Sequence, residues 1–190
     1  MLFRSQAWTR PFEAVTKADR AFRPIDATLG VEGLPQSGTG QAALFSGIDA
    51  PRIAGRHYGP FPHTKTRPRL EEENLFRRVD TMDHLPRPAA AFANAYPEIF
   101  FERRSQRDRW TVTTYCCRAA GVPLRGWEEW QSGRAVTADL TGAAWRERLG
   151  YELDPISEEE AGRRLVRMSR EHPLTVFEYF LTDKAGHEQD

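Results

Sequence analysis

Pro173-Leu174-Thr175-Val176-Phe177-Glu178-Tyr179-Phe180-Leu181-Thr182-Asp183 is the stretch on which the fold turns. Val176, Phe177, Tyr179, Phe180 and Leu181 are nearly continuous apolar or aromatic residues over a strand's length. A strand buried on both faces reads this way, as in a parallel sheet. The run is expected to end at Thr182-Asp183. Just upstream, Ser157-Glu158-Glu159-Glu160 has the form of a capping box, in which the Ser hydroxyl accepts from a first-turn amide. The helix it opens should run to about Glu171, because Pro173 bars its continuation. A helix followed by a buried strand is half of an α/β unit.

Working outward, residues 88–96 (PAAAFANAY) form a short apolar run read as a second buried strand, although alanine alone argues for helix. Helices are expected over residues 41–48, Leu70–Val79 and Trp110–Ala120, the last stopped by Gly121-Val122-Pro123. A short helix is expected near Ala143–Leu149. Residues 1–25 show no clean periodicity, and residues 49–68 read as a Pro- and Gly-rich loop. The expectation is an α/β fold with a mostly parallel sheet flanked by helices, in one domain.

Composition narrows the function classes. The 190 residues carry 27 Lys+Arg and 27 Asp+Glu, a formal net charge of zero, so the basic excess of a nucleic-acid or membrane-surface binder is missing. Five Trp, five Tyr and eleven Phe can seed a core in an otherwise polar chain. No run approaches the ~18 apolar residues of a membrane span. The N-terminus does not read as a secretory signal. Cys116 and Cys117 are adjacent, poor geometry for bridging each other, and a reduced, cytoplasmic setting is expected.

Two constellations can carry chemistry. In Leu34-Pro35-Gln36-Ser37-Gly38-Thr39-Gly40-Gln41, glycines precede a small-residue helix. Such a turn lets backbone come close to a ligand, and a helix start offers unpaired N–H groups and positive partial charge to a phosphate. Ser37 there is either a nucleophile, if a neighbour such as a metal ion activates it, or a helix N-cap in a glycine-rich turn. In Asp183-Lys184-Ala185-Gly186-His187, Asp and His stand four apart after the strand. Both are competent ligands for a divalent ion, with Gly186 permitting a bend; the alternative is a surface turn. Thr39, Gln41, His57 and Asn94 are placed as pocket polar groups by position. His63, His84 and His172 read as solvated.

Together these elements resemble the alkaline phosphatase superfamily, in the branch similar to cofactor-independent phosphoglycerate mutase and phosphopentomutase. In that superfamily the nucleophile stands ten residues before the glycine that ends its helix; here Phe45-Ser46-Gly47 ends the helix and the count returns to Ser37. Asp183, Gly186 and His187 match the spacing of the superfamily's Asp-x-x-Gly-His metal motif. The resemblance implies an alkaline phosphatase-like core and a two-metal phosphomutase or phosphohydrolase acting on a small phosphorylated substrate. Ser37 would take the phosphoryl group and ligate one ion, and Asp183 and His187 would ligate the other. Zinc, manganese or magnesium would serve. Residues from about 97 to 172 would be a variable insertion shaping the pocket. The chain departs from the pattern in two places: no strand-Asp precedes Ser37, and no Asp-His-Gly follows His187. It therefore reads as an internal piece of such a domain, incomplete at both ends. As such it is expected to hold metal weakly and turn over little, the alternative being a non-catalytic α/β remnant or an anion-binding or interaction module.

Overall fold

The computed structural model describes residues 15–17, 20–22, 25–107 and 109–188. An antiparallel pair, β1 (Val15–Lys17) with β2 (Arg20–Phe22), comes first. Four helices follow: α1 (Ser37–Ser46), α2 (Ala50–Ala54), α3 (Arg67–Glu72) and α4 (Leu75–Asp80). Then come β3 (Ala90–Phe92), α5 (Glu98–Arg107), α6 (Val112–Ala120), α7 (Trp127–Gln131), α8 (Ala143–Leu149), α9 (Glu158–Glu171), β4 (Leu174–Val176) and α10 (Phe180–Glu188).

The centre is the parallel pair β3–β4, in the register Ala90↔Leu174, Ala91↔Thr175 and Phe92↔Val176. Ala89 through Ala95 are all buried. Successive side chains of a strand alternate in direction, and the two faces divide accordingly. Ala90 and Phe92 join Ala42 and Phe45 of α1, Leu70 of α3, Phe76 of α4 and Val112, Cys116 and Cys117 of α6. Ala93 instead joins Val136 and, from α9, Ala161 and Met168. Alanine is poor strand material by propensity, but here its small side chain lets helices approach from both sides. Tertiary packing overrides the local preference. A third cluster lies beyond the strand end, where Trp127 stacks on Trp130 at 5.3 Å and also meets Trp145 and Tyr151.

The α/β expectation holds in its coarse form. The parallel sheet is much smaller than expected: among the described residues it is the β3–β4 pair, extended only by single bridges from Asn94 to Val136 and from Ala95 to Arg125. Three element readings are corrected. Residues 174–183 do not form one strand, since β4 stops at Val176 and α10 begins at Phe180. Asp183 in its first turn favours that helix start electrostatically. The single helix expected over Leu70–Val79 is two, because Asn74 interrupts it. Its side chain accepts from the Arg77 amide and caps α4, while its own amide group donates to the Leu70 carbonyl at 2.8 Å. The loop expected over 49–68 contains α2, which Asp49 caps and Pro51 opens. The strand read over 88–96 is confined to Ala90–Phe92. Two helix ends fall as read: Gly121 closes α6 in the left-handed conformation, and the Ser157 hydroxyl accepts from the Glu160 amide at the start of α9.

Candidate functional site

Ser37 is the first residue of α1, not its cap; that position belongs to Gln36, in extended conformation. The helix therefore starts four residues earlier than its apolar content suggests. Close backbone approach fixes this start. The Thr39 amide donates to the Tyr58 carbonyl at 2.8 Å, and the Tyr58 amide returns a bond to the Thr39 hydroxyl. A Cβ on Gly38 would lie 2.5 Å from the carbonyl oxygens of both Tyr58 and Phe61. Gly38 is thus required by contact. Gly40 is not, since nothing lies within 4 Å of where its Cβ would be.

Beyond the carboxyl ends of β3 and β4, Asn94 and Glu178 face each other. The Asn94 amide group donates to the Glu178 carbonyl at 2.8 Å, and its oxygen accepts from the Glu178 amide at 2.8 Å. This side chain continues the ladder where backbone pairing has ended. It also aims the Glu178 carboxylate back toward α1 and α6. There one carboxylate oxygen accepts from Gln41 Nε2 at 2.9 Å and from the Thr113 hydroxyl. Burial raises the Glu178 pKa above the ordinary glutamate value; the Thr113 hydrogen bond opposes that rise and the nearby Asp183 carboxylate adds to it.

Ser37, Gln41, Glu178 and Asp183 line one cavity of about 340 Å³, together with Pro60, Thr111, Tyr179 and Phe180. The fold thus brings Ser37 and Asp183 to a shared cleft at the strand ends, where α/β folds place ligands. Asp183 sits on α10, with His187 one helical turn further along, rather than in a turn beyond a strand. The His187 side chain lies outside the described residues. The other expected pocket groups divide. Gln41 lines the cavity. Thr39 is buried, with its hydroxyl engaged by the Gln36 carbonyl and the Tyr58 amide. Asn94 is also buried, its carboxamide committed to the Glu178 backbone. His57 borders a separate shallow depression, where Nε2 meets the Val31 carbonyl at 3.0 Å. Thr39, Asn94 and His57 are therefore structural groups rather than lining of this cleft.

Glu178 is the residue that sequence reasoning missed. Its signal was present: an acid inside an otherwise apolar run has to find partners or stay at the surface. Thr113 carried no comparable signal.

The donor chemistry bears on a resident metal centre. Ser37 and Asp183 are oxygen donors suited to zinc, manganese or magnesium. Glu178 is already engaged by two hydrogen bonds, and among the described residues no group of three or more His, Cys, Asp or Glu is placed to hold an ion. These side chains do not by themselves fit a two-ion centre. Cys116 and Cys117 are buried free thiols behind the site; burial, and then the Glu178 charge, push Cys116 up to about 12, so it is an inert core residue at neutral pH. No helix among the described residues is long and apolar enough to cross a membrane. Comparison with protein-family models, curated proteins and solved structures finds no match to this chain.

Proposed function

We propose that this chain is a phosphoryl-transfer domain of the alkaline phosphatase-like kind, with Ser37 as acceptor of the phosphoryl group of a small phosphate ester. The observation that carries the reading is the meeting of Ser37 and Asp183 in one cavity at the strand ends, from opposite ends of the described chain. Ser37 opens a ten-residue helix whose dipole favours an anion near that end, although the Thr39 amide is already given to the Tyr58 carbonyl. The Ser37 oxygen forms a bond to phosphorus as the ester P–O bond breaks. The hydroxyl proton leaves Ser37, and one proton is gained by the departing alcohol. Two carboxylates nearby oppose a dianion, and the raised pKa of Glu178 reduces that opposition by favouring its neutral form.

The test supplies manganese or zinc in solution and a radiolabelled phosphate monoester. The expected result is phosphoryl label on the wild-type chain and its loss in Ser37→Ala, with turnover falling by orders of magnitude and an unchanged melting temperature. Ser37 is exposed, so the truncation should leave the fold intact. The missing three-donor group among the described residues favours a second reading, an anion-binding module that does not transfer phosphate. Saturable binding of inorganic phosphate with no label on Ser37 would decide for that alternative.

A further inference from the structure

Resting on the phosphoryl-transfer reading, we infer that Thr111 is a further substrate-binding residue, donating its hydroxyl proton to a non-bridging phosphoryl oxygen, and that buried Thr114 is the positioning residue that frees that proton. Thr111 lines the same cavity as Ser37. It stands immediately before α6 in extended conformation, where a threonine ordinarily caps a helix, yet its side chain makes no capping bond. Its hydroxyl lies instead 2.9 Å from the hydroxyl of Thr114. Thr114 is fully buried, and its hydroxyl is also 3.1 Å from the Thr111 carbonyl.

Each hydroxyl carries one proton and can accept as well as donate. The pair therefore has two arrangements. When Thr114 donates to the Thr111 carbonyl, Thr111 donates to Thr114 and keeps only lone pairs for a ligand. When Thr114 donates to the Thr111 hydroxyl oxygen, the Thr111 proton is released. The second arrangement orphans no buried group, because the Thr111 carbonyl keeps the Tyr115 amide at 2.8 Å. An arriving oxyanion thus draws out the donor at little cost. Gln41, the amide of the lining, is already given to Glu178, and the Ser37 proton leaves during transfer. The Thr111 donor is neutral, so what it adds does not turn on the ionic state of Asp183. A hydrogen bond to a charged oxygen is about twice as strong as one between neutral groups.

Binding of inorganic phosphate to the whole chain, followed by calorimetry at matched free manganese, tests this without turnover. Thr111→Val keeps the shape and loses the hydroxyl. Because that hydroxyl caps nothing, and Thr114 still has the Thr111 carbonyl as acceptor, the melting temperature should not change. Phosphate affinity is expected to fall about tenfold or more, the worth of a hydrogen bond to a charged group, and Thr111→Ser should restore it. Thr114→Val should weaken binding several-fold and Thr114→Ser should not. A packing role for Thr114 gives the reverse order, since serine drops the buried methyl that valine keeps. Unchanged affinity in Thr111→Val, a loss that serine does not rescue at either position, a loss found only in Tyr179→Phe, or no phosphate binding by the wild type would overturn the inference. The two readings fail separately. Weakened phosphate binding in Thr111→Val with no label on Ser37 of the wild type sinks phosphoryl transfer alone, whereas label on Ser37 with Thr111→Val binding phosphate as wild type does sinks the Thr111 assignment alone.

Discussion

Gly38 and Gly40 stand two residues apart in α1, yet the structure sets opposite consequences for adding one methyl group to each. At Gly38 the new Cβ would lie 2.5 Å from the Tyr58 oxygen, 2.5 Å from the Phe61 oxygen and 2.8 Å from Gly59 Cα. All three are backbone atoms, and Gly59 is equally confined, its own Cβ position lying 2.9 Å from the Gly38 nitrogen. Relief therefore requires α1 to move away from the 58–61 segment, stretching the 2.8 Å bond from the Thr39 amide to Tyr58. Overpacking of this sort costs about 1–3 kcal/mol, and a weakened hydrogen bond adds about 1 kcal/mol. The helix-propensity gain of Ala over Gly, at most about 1 kcal/mol, does not cancel it. A net loss of about 2 kcal/mol is expected for Gly38→Ala, which for a chain of this size is a fall in Tm of about 4–8 °C. At Gly40 no atom stands in the way. Only the propensity gain remains there, and Gly40→Ala should stabilise by about 0.5–1 kcal/mol. Urea unfolding of both variants beside wild type is the assay. The contrast in sign is what matters: a Gly38→Ala protein as stable as Gly40→Ala would mean that α1 does not pack on the 58–61 segment as described. The site assembled on that helix start would lose its basis.

The remaining expectations concern the polar cluster behind the cleft. Glu178→Gln keeps an oxygen able to accept from Gln41 and Thr113 but cannot ionise. Because the folded-state pKa of Glu178 is raised, the native protein binds its proton more tightly than the unfolded chain does. Wild-type stability from this group is full below the ordinary glutamate value and is lost as pH rises through the raised folded value. The variant should therefore match wild type in acid and exceed it at neutral pH, by about 1.4 kcal/mol for each tenfold by which folding tightens proton binding at Glu178; superimposable Tm–pH curves would refute this. Asn94→Ala leaves the Glu178 amide and carbonyl without the partner they have at 2.8 Å. A loss of about 2–4 kcal/mol is expected, with faster amide exchange at Glu178; protection unchanged at that amide would show that the clamp does not hold the strand end.

Parts of the fold were legible because their determinants are local. Ser157 and Glu160 sit three apart, Gly121 follows the last residue of α6, and both helix ends fall where those residues put them. The failures have one physical character. The start of α1 depends on Gly38 lying against a segment twenty residues away, which no window over 34–41 contains. The split between α3 and α4 depends on one Asn74 side chain bonding in both directions, at Leu70 and at Arg77. The 174–183 run has the composition of a strand, but only Leu174–Val176 has a strand to pair with. Past Val176 the backbone of the neighbouring strand is replaced by the Asn94 side chain, and the chain turns into α10.

That replacement explains why an acid is tolerated in the middle of an apolar run. A buried carboxylate is costly, and an apolar residue of similar size at 178 would pack behind Tyr179 without penalty. What Glu178 adds is a three-way tie: its backbone is held by Asn94 at the end of β3, and its carboxylate by Gln41 of α1 and Thr113 of α6. Gln41 is one helical turn beyond Ser37, so the tie fixes the helix that carries the hydroxyl. Asp183 follows within the next helix, so the same residue also fixes where the second cavity wall begins. An apolar substitute would keep the core and the Asn94 bonds to the backbone, and would release the wall that α1 carries. On this account Glu178 acts as a positioning residue, and its removal should alter the cleft more than the stability. Glu178→Leu would then retain a cooperative unfolding transition while inorganic phosphate binding is lost. Retained binding in that variant would reduce Glu178 to a half-buried packing residue and overturn its positioning role.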